Sequence, residues 1–256
     1  MDVRETPRAT ARTVESEFAQ SAHACVLGDI PPALFPYWAG NAQREFPRIP
    51  RDASFYARSA EGLIMFFDCA ASAARPCALP SRAADAVWHA WVRMDASSLE
   101  RFCVRHFGKK IPHVERAQMG PMGVALAACL VQARRRAAMP AGGPDLPRLF
   151  TLDDQLGMPG GFGYRIIRGR VACSLLDQLG RPIGRPSFPK ALTALGLYEA
   201  GLISGAEYAE RRDAGSASGD GGAAVGGDCD GGDSGDGGCG DGGSACGSGC
   251  GGGCGS

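Results

Sequence analysis

The sequence predicts a mainly α fold: one compact helical domain with a small β-hairpin as its only strand signal, followed by a disordered C-terminal tail. Three observations carry this. Apolar residues recur at three- and four-residue spacing through most of the first 140 positions, the mark of helices with one buried face. Ser and Asp stand just before several of these stretches, where helix N-caps belong. The charge and glycine content, finally, split sharply along the chain. Residues 1–212 hold all 27 Lys and Arg against 20 Asp and Glu, whereas residues 213–256 hold 7 Asp, no Lys, Arg or Glu, and 20 of the 38 glycines. The formal charge of zero is therefore a +7 body and a −7 tail.

Residues 1–12 read as a frayed polar terminus and 13–212 as the helical globular domain. A first helix is expected from Thr13 to Gly28, with Val14, Phe18, Ala22, Cys25 and Val26 on one face. Pro31, Pro32, Pro36, Pro47 and Pro50 punctuate the following connector, leaving a short helical piece over Phe35–Ala42. Asp52 caps a helix over Ala53–Ala73, and Ser81 caps another over Arg82–Arg93. Asp95 starts a further helix through Leu99, Phe102 and Phe107, which Gly108 ends. An apolar helix over Met122–Ala138 finishes in Arg134, Arg135 and Arg136, cations suited to the negative end of a helix dipole and read as a solvated helix end. Beyond Pro140 the stretches Leu146–Asp153 and Met158–Gly163 read as turns, Tyr164–Leu176 as a strand pair around Gly169, and Ala191–Leu195 and Ala206–Arg212 as short helices.

Several classes are excluded. The longest apolar runs, Gly123–Val131 and Leu63–Phe67, fall well below the roughly 18 residues of a membrane span. The first twenty residues contain no apolar core of a secretory signal, so a cytoplasmic location is expected, with the body cysteines Cys25, Cys69, Cys77, Cys103, Cys129 and Cys173 as reduced thiols. No basic and aromatic interleaving of a nucleic-acid module is present, and Gly160–Gly163 lacks both the P-loop ending and dinucleotide spacing. Trp88 and Trp91, at helical spacing, read as core.

The chemistry-bearing residues concentrate between positions 80 and 115. Asp85, Trp88 and His89 lie on one helix, Phe102, Cys103, His106 and Phe107 on the next, and Ile111, Pro112 and His113 follow. This Trp-His, Phe-Cys and later His combination resembles bacterial proteins called glycine-rich domain-containing, over roughly residues 55–115 and more loosely to Tyr164. The resemblance implies a body with a glycine-rich C-terminus and supplies no mechanism. Two slots differ from that pattern: Leu99 stands where a Tyr is usual, and Pro112 where the first of two histidines is usual.

Imidazole and thiolate are good zinc ligands, so His89, Cys103, His106 and His113 form a candidate metal set, with Asp85 behind them to orient a ligating ring. The same residues could make a thiol enzyme, Cys103 attacking with His89 or His113 as base and Asp85 as orienter. No close Cys pair of a structural zinc site occurs in the body, and the plain alternative is that Cys103 packs as an apolar side chain while the histidines make ordinary hydrogen bonds. The leading expectation is accordingly a soluble, non-enzymatic binding or scaffold module of unknown partner, with no cofactor. A zinc- or thiol-dependent enzyme centred on His89, Cys103 and His113 is the rival. The tail, with Cys229, Cys239, Cys246, Cys250 and Cys254, reads as a disordered spacer that can lie against the basic body; a metal-chelating segment or an azole-forming substrate are its alternatives.

Overall fold

The computed structural model describes residues 7–113 and 122–217. The chain divides into a unit spanning Met1–Gly219 and a second spanning Asp220–Ser256. The second unit, with the five tail cysteines and every expectation placed on them, lies outside the described residues.

The first unit is built around α4, Ala53–Ser72, which is buried on nearly every side. Asp52 starts it, its Oδ1 accepting from the Phe55 amide at 2.9 Å. Against α4 pack α1 (Pro7–Ala19), α5 (Arg82–Phe107), α6 (Met122–Arg136) and α7 (Arg148–Leu156). α2 (Ala24–Leu27) and α3 (Leu34–Asn41) complete the N-terminal side, where Trp38 stacks on Phe55. Trp38, Trp91, Tyr56, Phe67 and Phe150 are fully buried, and Trp88 is buried against Phe66 and Phe67. Both tryptophans of α5 are thus core, as their spacing predicts.

The N-terminal helix differs from the sequence expectation at both ends. It begins at Pro7, inside the stretch expected to fray, with proline at the first helical position, where no amide partner is needed. It stops at Ala19 because Ser21 turns away from helix geometry, donating to Glu61 Oε1 at 2.6 Å and accepting from the His23 amide. α5 is continuous by hydrogen bonding but bends at Asp95, whose backbone is non-helical and whose Oδ1 accepts from the Ser98 amide at 2.9 Å. It therefore behaves as the two capped helices that the sequence predicts, ended by left-handed Gly108.

After α6 the structure holds more order than the sequence signals. α7 occupies a stretch read as turns; Leu149, Phe150 and Leu152 are buried, and Gly62 of α4 leaves the space into which Leu152 fits. β1 (Phe162–Ile167) and β2 (Arg170–Leu176) form the expected hairpin around Arg168 and Gly169, both at positive φ, the geometry of a two-residue primed turn. β3 (Pro182–Ser187) adds an antiparallel edge strand, order β1-β2-β3, that the sequence reading missed. Its two prolines and full exposure are tolerated only at an edge, and they erase the strand signal. α8 (Ala194–Glu199) and α9 (Gly205–Ala217) close the unit, α9 continuing past the boundary expected at residue 212.

The three arginines ending α6 are not simply solvated. Arg134 is buried, donating to the carbonyls of Asp145 and Ala141 at 2.9 Å each, and burial pushes its guanidinium down to about 10. Arg135 pairs with Glu207, and Arg136 with Asp68. No helix among the described residues is long and apolar enough to cross a membrane.

Candidate metal centre

α5 places the site. Asp85 and His89 stand four residues apart on one helical face, in the first two turns after the Ser81 cap. That start is held by an unusually well-satisfied carboxylate. Asp153 of α7 accepts from Ser81 Oγ at 2.6 Å, from the Arg82 and Ala83 amides at 2.9 and 3.1 Å, and from the Phe162 amide at 2.9 Å. Burial raises its carboxyl above the ordinary range, and the four donors pull against that rise. A Cβ at Gly161 would sit 2.8 Å from Asp153 Oδ2, so only glycine leaves room for this junction of α5, α7 and β1.

His113, on the extended segment after α5, brings its ring against both Trp88 and His89, each at 4.6 Å between centroids and nearly perpendicular. Its Nε2 lies 3.4 Å from Asp85 Oδ1, and His89 Nε2 lies 3.5 Å from the same oxygen. One ligand atom from each of Asp85, His89 and His113 falls within 4.8 Å of the other two, and this is the one such cluster of three among the described residues. Their side chains are 33%, 24% and 27% exposed, so the cluster is reachable from solvent.

Behind His89 stands Glu45, in the turn that follows α3. Its Oε1 is 2.6 Å from His89 Nδ1, and its Oε2 is 2.9 Å from Arg93 Nη1. Glu45 accepts hydrogen bonds from both Arg93 and His89, so Nδ1 carries a hydrogen. In the neutral ring Nε2 turns its lone pair toward Asp85 Oδ1, another acceptor. Two acceptors 3.5 Å apart repel unless a positive charge, a second ring proton or a metal cation, sits between them.

Of the residues singled out in the sequence, the structure brings His89, His113 and Asp85 together and leaves Cys103 and His106 apart. Asp85 stands beside both imidazoles, its Oδ1 facing each. Cys103 is fully buried and meets the backbone of Ile111; burial pushes its thiol up to about 11. His106 points to the opposite partner, Asp29, with Nε2 at 3.0 Å from Oδ2 but off the line of a hydrogen bond, and its ring lies on Phe102. On α5, Cys103 and His106 belong to the turns beyond the Asp95 bend, which is why helical spacing could not unite them with His89. Glu45 and Asp153 were missed. Neither has a local signature, since each acts on an element distant in sequence. A cleft of about 300 Å³ lined by Gly143, Val171, Leu192 and Arg211 contains none of these residues.

Residues 50–174 match the uncharacterised family described as UCP032817-like. The match spans a little under half of the chain and includes Asp85, His89 and His113 but not Glu45. It supports this family over those residues, not the glycine-rich domain-containing one that the motifs resemble. No curated protein and no solved structure matches the chain.

Proposed function

We propose that the helical body is a binding module organised around one divalent transition-metal ion, held by His89 Nε2, His113 Nε2 and Asp85 Oδ1, with Glu45 fixing His89. The spacing of the ligand atoms carries this reading. Bonds of about 2.1 Å to zinc in tetrahedral geometry put neighbouring ligand atoms about 3.4 Å apart, and the two imidazole nitrogens stand 3.5 and 3.4 Å from the carboxylate oxygen. Glu45 supplies the carboxylate behind a ligating histidine that sets its tautomer and raises its basicity. Three protein ligands leave a fourth position for water or for a side chain of a binding partner. The role is non-enzymatic attachment of that partner in a reducing cytoplasm; the six described cysteines, all free thiols, are compatible with that compartment. A thiol-dependent reaction at Cys103 has less support, because a buried thiol at about 11 is a poor nucleophile.

Cobalt(II) titration of the full chain separates this site from the tail thiols, since sulfur ligands give intense near-ultraviolet charge-transfer bands and nitrogen and oxygen ligands do not. One equivalent bound with d–d bands alone, and lost in His113→Ala, is the expected result. Cobalt bound solely with charge-transfer bands, or unchanged in that variant, overturns the reading.

A further inference from the structure

Three thiols meet in the core away from the metal centre. Cys69 sits in the last turn of α4, Cys77 on the extended segment that follows it, and Cys129 in the middle of α6, with exposures of 2%, 9% and 0%. The Cys129 thiol has Cys69 and Cys77 as its side-chain neighbours. The segment carrying Cys77 is fixed to α6 by the Ala78 amide, which donates to the Ala125 carbonyl at 3.0 Å. Residues 125 and 129 are one helical turn apart on one face, so this bond aligns Cys77 with Cys129.

The three sulfurs do not all fall within 4.8 Å of one another, so they do not close a three-thiolate metal cage. Pairwise chemistry remains, and the pair is unequal. The Cys129 hydrogen bond and the Lys109 ammonium bring the Cys77 thiol below its ordinary range, whereas burial drives Cys129 well above it. Cys77, at the edge of the core and 9% exposed against 0% for Cys129, is the thiol that an oxidant reaches first, with the more deeply buried one directly behind it. Cys69 is the poorer partner, because both it and Cys129 are set in packed helices. The non-helical segment around Cys77 can adjust to the Cα separation of about 5.5–6 Å that a disulfide needs.

We propose that Cys77 and Cys129 are an oxidisable pair that closes to a disulfide with a small hydroperoxide as oxidant. The Cys77 thiolate attacks the peroxide oxygen; the O–O bond breaks, the alkoxide or hydroxide leaves and takes up a proton, and Cys77 becomes a sulfenic acid. The Cys129 sulfur then attacks the Cys77 sulfur, its proton leaves with the hydroxyl as water, and the S–S bond forms. Two thiols and one hydroperoxide give one disulfide, one alcohol or water, and one further water. The product is neutral and apolar, so it suits the buried site that a metal–thiolate complex would charge.

The test is disulfide mapping of the full chain after treatment with hydrogen peroxide, alkylation of the remaining thiols and non-reducing digestion. A Cys77–Cys129 linked peptide that takes up most of Cys77 and disappears with reductant is expected. Recovery of both as alkylated thiols while other cysteines have oxidised, or a link from either to Cys69 or to a tail cysteine, overturns the proposal. In Cys129→Ser the sulfenic acid has no resolving thiol, so a dimedone adduct should accumulate on Cys77; an unlabelled Cys77 in the folded variant overturns it too. The wild-type map stands on its own where that variant does not fold.

Discussion

Two carboxylates work at the first turns of α5, and they are opposites. Asp153 is buried and has four protein donors within 3.1 Å, so every acceptor site has an occupant and the group can do nothing further. Asp85 is one-third exposed and faces two imidazole nitrogens, one of them on the ring that Glu45 holds from the other side. The first is a joint; the second keeps acceptor capacity facing two imidazoles, which is what the proposed metal site would use. Satisfaction of polar groups, rather than residue type, separates structure from chemistry here.

The strongest way to break that contrast is to remove the joint. Asp153→Ala strands a hydroxyl and three buried amides, and we expect about 3–5 kcal/mol of lost stability in urea unfolding. A loss below about 1 kcal/mol would mean that the junction is not what fixes α5. Next comes the proposed metal site: His113→Ala should lower zinc affinity about 100-fold or more by calorimetry and change unfolding little, whereas equal affinity removes His113 from the site. Glu45→Gln tests the group behind the shell. It keeps the shape, weakens the hold on the His89 tautomer, and should cost about 10-fold to 100-fold in affinity. Gly62→Ala probes the packing that carries Asp153 into place, since its methyl would overlap Leu152; about 1–3 kcal/mol should be lost with metal affinity per folded molecule retained.

The last effect is alkaline. Cys103 titrates at about 11 in the folded protein and near 8.5 in an unfolded chain, so the folded state holds the proton more tightly between those values. Its contribution to stability is complete below about pH 8.5 and lost as pH rises toward about 11. Burial gives Cys129 and Cys173 the same sign. Urea midpoints measured across that range should fall with pH, and less steeply in Cys103→Ala.

Helix caps were legible because they are local: Asp52, Ser81, Asp95 and Gly108 act within four residues of themselves, and each does what its type suggests. The tight turn at Gly169 was legible for the same reason. α7 and β3 were not. Nine residues after a proline are too few for periodicity to stand out, and an edge strand with two prolines carries no alternation. The candidate site divides in the same way. Asp85 and His89 share a face by spacing alone, but Cys103 and His106 look equally suitable in sequence, and only the Asp95 bend and the course of the chain to His113 decide which imidazoles converge.

The amino-acid sequence by itself determined where helices begin and end, which faces are apolar, and that the aromatic residues of α4 and α5 form a core, because those properties follow from backbone geometry and water exclusion over a few residues. Tertiary structure alone decided that Asp153 is consumed and Asp85 is not. The partners of those two carboxylates come from β1, from the start of α5 and from the segment beyond it, and no local pattern encodes a hydrogen bond between residues 28 or 72 positions apart.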